Sequence, residues 1–183
     1  MGDRQFRSEA EEQSIRMTRA RTRAPEGPVS SAHTLHESFR FQSDFDCSAD
    51  RLFGFHERPE ALQLLTPPWQ KVEFIQGPAS LAVGTRVLMR MKVGPLWQAV
   101  EAVHVAYEPG VSFSDQMVKG PFAYWLHKHI VKPLGETRSR LIDDVTYRLP
   151  LGALGALFGG WYAERELNRL FRFRHEVTRR ECT

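Results

Sequence analysis

Residues 119–147 read KGPFAYWLHKHIVKPLGETRSRLIDDVTY, and their alternation decides the fold. Two β-strands flank a turn at Pro133-Leu134-Gly135-Glu136. Side chains alternate faces along a strand, so Trp125, His127 and His129 share one side of the first. Leu141, Asp143, Val145 and Tyr147 share one side of the second. A large aromatic, two imidazoles, a carboxylate and a phenol thus face a common interior. That set is too polar for a plain core and too apolar for a plain surface. It is the composition of a pocket wall.

Upstream, Phe39, Phe41 and Phe45 alternate with Arg40, Gln42 and Asp44 as in a half-buried strand. Ser48 suits the N-cap of a short helix through His56, with Leu52, Phe53 and Phe55 as its apolar side. Pro59 suits the start of a second short helix carrying Ala61, Leu62, Leu64 and Leu65. Thr66-Pro67-Pro68 stops that helix directly before Trp69. Strands are expected over 72–75, 85–93, 97–107 and 111–117, separated by Gly77-Pro78, Gly94-Pro95 and Glu108-Pro109-Gly110. Val87, Met89, Met91 and Val93 share one face opposite Arg86, Arg90 and Lys92; Phe113, Asp115 and Met117 share another. The two faces of 97–107 cannot be told apart by pattern.

Downstream, Pro150 opens the longest helix, expected to end near Val177. Leu154, Leu157, Phe158 and Trp161, then Leu167, Leu170 and Phe171, follow helical spacing. Gly152, Gly155, Gly159 and Gly160 are costly in a helix and imply a kinked or frayed first half, or close approach to the sheet. Arg165, Arg169, Arg172 and Arg174 fall mostly elsewhere on the helix surface. The order predicts an α+β helix-grip: one curved antiparallel sheet of about six to seven strands around the C-terminal helix, with two short helices plugging one end.

The domain is placed at residues 34–178. Residues 1–33 are poor in large apolar groups and read as a disordered tail, with Arg16, Arg19, Arg21 and Arg23 as a basic run and Met17 as an alternative start. Residues 179–183 read as a C-terminal tail. With 183 residues and 42% hydrophobic content the chain is long enough to bury a core. Its net charge of +3 comes from 25 basic and 22 acidic residues, interleaved, so no nucleic-acid partner is expected. Cys47 and Cys182 make neither a disulfide framework nor a zinc knuckle and fit a reducing cytoplasm. No apolar run is long enough to cross a bilayer, and the N-terminus has no signal-type apolar region. GALGALFGGWY, residues 152–162, is read as a helix end packed on the sheet, with peripheral membrane contact as the alternative.

Pro67-Pro68-Trp69, Gly84, Trp97, Phe113-Ser114-Asp115, Gly120-Pro121-Phe122, Trp125-Leu126-His127-Lys128-His129, Asp143 to Tyr147 and Pro150-Leu151-Gly152 together carry a resemblance. The chain resembles the START-like or SRPBCC superfamily, the helix-grip fold of birch-pollen-allergen-like proteins and polyketide cyclases. It is most similar to a bacterial branch described as ligand-binding SRPBCC proteins, which ends much as Phe171-Arg172-Phe173-Arg174 does here. The resemblance covers residues 36–177. Ile130-Val131 stands where that branch usually has a Phe. What the resemblance implies is a fold and a cavity, with no set reaction.

The first functional expectation is a binding module for a small hydrophobic or amphipathic molecule, serving to carry, sequester or sense it. Trp69, Met89, Met91, Trp97, Phe113, Phe122 and Trp125 would give contact area; Asp115, His127, His129 and Tyr147 would orient the guest. The second is a cyclase- or dehydratase-type enzyme in which His127 or His129 moves a proton and Asp143 or Asp115 orients the imidazole. The third is a partner-binding subunit whose own side chains fill the cavity. A plainer account makes His127, His129, Asp115 and Asp143 buried polar groups bonded to one another. Two histidines two apart supply only two metal ligands, with His56, Asp115 and Asp143 as candidates for a third. The sequence alone assigns no metal and no cofactor. No phosphate-binding glycine loop or nucleophile elbow is present.

Overall fold

The computed structural model describes residues 36–182, excluding the side chains of residues 152–158. The expected tail over 1–33 and the helix positions Leu154, Leu157 and Phe158 therefore lie outside the described residues. The element order is β1 (Glu37–Phe45), α1 (Ala49–Glu57), α2 (Ala61–Leu64), β2 (Val72–Gln76), β3 (Arg86–Val93), β4 (Leu96–Glu108), β5 (Ser112–Lys119), β6 (Tyr124–Pro133), β7 (Ser139–Arg148) and α3 (Gly152–Cys182). The seven strands form one antiparallel sheet in the order β1-β7-β6-β5-β4-β3-β2. This is the expected helix-grip, with its two short helices after the first strand.

Local chemistry explains the joints. The Ser48 hydroxyl accepts from the Arg51 amide at 3.3 Å and starts α1. Gly94 takes φ of 58° in the β3–β4 turn, a conformation with little penalty only for glycine. Register shifts at Glu101/Ala102 and His104/Ala106 interrupt β4 against β5. Such bulges increase local twist and bend the strand, which favours a concave sheet. A Cβ on Gly159 would stand 3.2 Å from Leu149 Cδ1, so the helix glycine there permits close approach to the end of β7.

The long helix runs to Cys182 rather than ending near Val177, so the residues read as a C-terminal tail are almost all helical. The cause is an inward stripe that does not stop at Phe171. Phe171, His175, Thr178 and Cys182 follow helical spacing, and all are buried.

Phe171 is the centre of the sheet–helix contact. It is fully buried, with ring centroids 5.4 Å from Phe39 and 6.4 Å from Phe41. Val145, Tyr147, Trp125, Ala163 and Leu167 complete the buried cluster. Phe171→Ala is expected to cost about 3–5 kcal/mol, read as a lower urea midpoint at unchanged slope. A loss under about 1 kcal/mol would mean that the helix is not docked through this residue.

Candidate functional site

A cavity of about 500 Å³ lies between the sheet and α3. Val87, Met89, Met91 and Val93 of β3 line it, as the strand pattern required. Val100, Ala102 and His104 of β4 follow, then Phe113, Asp115 and Met117 of β5, and Trp125, His127 and His129 of β6. The helix contributes Tyr162, Ala163, Glu166, Leu167, Leu170 and Arg174. Half-exposed Trp69 and exposed Tyr162 stand where the cavity meets solvent. Trp69 meets Phe173 edge-on at 5.2 Å, and Arg169 lies 4.2 Å over its ring, beside a shallower groove on the outer side of the helix.

Trp69, Met89, Met91, Phe113, Asp115, Phe122, Trp125, His127 and His129 are thus brought to one cavity. Trp97 and Tyr147 are not. Trp97 is paired with Lys92 in the β3–β4 register, and Arg90 lies 5.4 Å over its ring. It therefore belongs to the outer face of the sheet. Alanines and valines occupy both faces of β4, so hydropathy does not separate them. Tyr147 is a core residue packed on Phe122 at 5.8 Å, with the Glu37 carboxylate beside its hydroxyl. Burial, then that carboxylate, holds its pKa above the usual phenol range.

The polar end is built on the sheet register. Asp115 lies directly across from His127, and His129 directly across from Asp143. Asp143 sits behind the cavity wall, 2% exposed. His127 Nε2–H donates to Asp143 Oδ1 at 2.9 Å, and His175 Nε2–H donates to Oδ2 at 2.6 Å. His129 Nδ1 is 2.8 Å from Oδ1 but off-line, an ionic contact rather than a well-formed hydrogen bond. On the cavity side, His127 Nδ1 and His129 Nε2 point at one oxygen, Asp115 Oδ2, at 3.4 and 3.7 Å. Phe113 stacks on His129 with centroids 4.1 Å apart and fixes its ring plane.

The charges follow from the geometry. Burial alone would raise the pKa of Asp143, but His129, His127 and His175 hold it well below the carboxylate norm. Asp115 is likewise lowered against burial, by His127 and His129. Burial opposes the charge on His127, yet its contacts with Asp115 and Asp143 lift its pKa to about 9. Arg174, half-buried on the cavity wall, donates from Nε to the Leu65 carbonyl at 3.3 Å and is attracted to both carboxylates. Buried Asp143 and half-buried Asp115 thus face an imidazolium and a guanidinium. His56 and His104 also line the cavity and are kept neutral chiefly by burial. His56 Nδ1–H donates to the Leu52 carbonyl at 2.9 Å, and His104 Nδ1 is buried without a partner.

His104, His175 and Arg174 were not singled out as site residues from sequence. The helical spacing of His175 from Phe171 was the available signal for one of them. The arrangement can orient a polar group, hold a cation or position an imidazole for proton transfer.

The comparisons with known proteins agree with this architecture. A family model described as polyketide cyclase / dehydrase and lipid transport matches residues 46–172. Among solved structures, norcoclaurine synthase from Thalictrum flavum, in complex with dopamine and hydroxybenzaldehyde, aligns with TM-score 0.59 at 16% identity, over 85% of this chain and 93% of that one. The Zhui aromatase/cyclase from Streptomyces sp. R1128 aligns with TM-score 0.55 at 11% identity, over 81% and 92%. A START superfamily protein from Mycobacterium smegmatis aligns with TM-score 0.60 at 12% identity, over 81% and 97%. At these identities the structures share the fold alone. No curated protein sequence gives a significant match. Among the described residues, no helix is long and apolar enough to cross a membrane.

His56 gives this site a measurable pH signature. Its folded pKa of about 4 lies below the ordinary 6.5, so between those values the unfolded chain binds more protons. Stability should fall as pH drops from 6.5 towards 4, by on the order of 3 kcal/mol from this group. His56→Phe cannot titrate and should flatten that window in urea-denaturation profiles. An unaltered slope would show that His56 is not held neutral by the fold.

Proposed function

The chain belongs to the polyketide cyclase / dehydrase and lipid transport family, within the START-like superfamily, and from that premise we propose that it binds a small amphipathic organic molecule between the sheet and α3. The observation that carries the reading is the polarity of the cavity, about 500 Å³ in volume. Its β3–β4 side presents Val87, Met89, Met91 and Val100, whereas Asp115, His127 and His129 stand where β5 meets β6. Such a volume suits a guest of drug-like size, and the methionines adapt to irregular apolar shapes. The guest's apolar body would lie along β3 and β4, with its polar group at the histidines.

Native mass spectrometry of freshly purified protein, followed by thermal shift against amphipathic aromatic and acyl compounds, tests this. At least one class should raise the melting temperature. Met89→Trp, which fills the cavity from β3, should abolish that shift. Trp97→Ala, on the outer face, should leave it intact. A panel with no adduct and no shift, or a shift indifferent to Met89→Trp, would overturn the proposal.

A second reading, an enzyme of the cyclase or dehydratase kind, has one specific observation in its favour. Asp143 engages His127 and His129 from behind and leaves their other nitrogens facing the cavity side. That is how a carboxylate orients an imidazole for proton transfer. The double substitution His127→Gln with His129→Gln separates the readings. An enzyme would lose turnover while still showing the ligand-dependent thermal shift; a carrier would lose affinity and have no turnover to lose.

A further inference from the structure

We propose that Asp115, His127 and His129 form a binding site for a divalent transition-metal ion such as zinc, with one coordination position open to the cavity. The ligand atoms are Asp115 Oδ2, His127 Nδ1 and His129 Nε2, and all three lie within 4.8 Å of one another.

Three observations carry this. The first is distance. His127 Nδ1 and His129 Nε2 stand 3.4 and 3.7 Å from Asp115 Oδ2. A charge-assisted hydrogen bond would settle near about 2.8 Å. Ligand atoms around a tetrahedral ion with bonds of about 2.0–2.1 Å are spaced by about 3.3 Å. Two of the three edges are therefore long for a direct ion pair and close to the edge length of a coordination shell, and the third is no more than 4.8 Å. Small side-chain shifts would complete the shell.

The second is the layer behind the ligands. Metal-bound histidines nearly always give their other N–H to a carboxylate or carbonyl, which fixes tautomer and ring plane. Here one carboxylate serves both rings: Asp143 Oδ1 is 2.9 Å from His127 Nε2 and 2.8 Å from His129 Nδ1. His127 Nε2–H donates to that oxygen, whereas His129 Nδ1 touches it off-line, and His129 Nε2 is the nitrogen left facing Asp115 Oδ2. His175, bonded to Asp143 Oδ2 at 2.6 Å, braces that carboxylate from α3. Binding at His127 exchanges the hydrogen on Nδ1 for the metal, and the proton leaves to solvent.

The third is access. The Asp115 side chain is 22% exposed and all three residues line the cavity, so the fourth position faces a space that can hold water or a guest. Three protein ligands with one open position are the pattern of reactive rather than purely structural zinc sites. The imidazole and carboxylate donors suit zinc, iron or nickel better than calcium or magnesium. The neutral His104 lies opposite Asp115 in the β4–β5 register, with its buried Nδ1 unpartnered. This site does not depend on which organic guest the cavity takes.

The test uses the full chain, stripped with chelator and dialysed. Zn²⁺ is titrated by calorimetry and Co²⁺ by visible absorption. One equivalent should bind, with cobalt bands of four- or five-coordinate strength. Nitrogen-15 resonances of the wild-type histidines should report the metal at Nδ1 of His127 and Nε2 of His129. Asp115→Asn and His129→Gln should each weaken binding at least 100-fold, and Asp143→Asn, one layer back, by about 10- to 100-fold. Circular dichroism confirms that each variant is folded, and the wild-type nitrogen shifts decide the matter if one is not. Absence of stoichiometric uptake, uptake that survives both ligand substitutions, or histidine shifts that do not move with metal would overturn the site and leave a buried ion-pair cluster.

Discussion

The structure depends on a buried negative charge. Asp143 sits mid-strand on β7 with 2% of its surface exposed. An unpaired carboxylate there would cost several kcal/mol, so its partners are obligatory. They come from two elements: His127 and His129 from β6, and His175 from α3. The same carboxylate therefore joins neighbouring strands and ties the sheet to the helix. His175 is also wedged against Phe41 at 4.7 Å and Phe45 at 5.7 Å, so its imidazole is positioned by packing as well as by charge. Phe171, one turn earlier, makes the apolar half of the same contact. Apolar burial supplies much of the docking energy here, and the directional bond to Asp143 selects one rotation of the helix about its axis.

That latch shapes the cavity. With α3 held at the β1–β7 side of the sheet, the concave surface of β3, β4 and β5 is left with fewer partners. Leu167, Leu170 and Arg174 line the space together with Met89 and Val100. The polar end cannot be removed independently, because His127 and His129 belong to both the latch and the wall. A guest entering past Trp69 would meet apolar surface along β3 and β4 and fixed charge at β5 and β6. Within the site Asp115 and Asp143 face the positive charges of His127 and Arg174.

Much of this was legible from alternation. The faces of β1, β3, β5, β6 and β7 could be read because their two sides differ in character, as Met89 and Met91 do from Arg90 and Lys92. Hence Met89 and Met91, Phe113 and Asp115, and the Trp125-His127-His129 row were assigned to one interior. β4 defeated the reading. Ala99, Val103 and Val105 on its outer side are as apolar as Val100 and Ala102 on its inner side, which left Trp97 misplaced and His104 unnoticed. Tyr147 shares the expected face, but the pattern puts it at the cavity, whereas the structure packs it in the core beside Phe122 and Trp125. The helix was cut short because arginines dominate its last turns, although Thr178 and Cys182 carry the buried stripe onward.

The His–x–His pair illustrates why spacing alone underdetermines chemistry. Two residues apart on a strand, the rings lie on one face with centroids 3.8 Å apart, whatever their role. What gives them direction is the residue across each side of the strand. Asp143 on β7 engages one nitrogen of each ring, and Asp115 on β5 faces the other. β6 is flanked by a carboxylate on both neighbours, one sealed behind the wall and one open to the cavity. The sealed carboxylate fixes ring orientation, because no solvent competes for it. The open one is where the site can exchange a proton, a metal ion or a ligand contact. Any chemistry of this chain at the histidines must therefore run on the Asp115 side, and its rigidity must come from the Asp143 side.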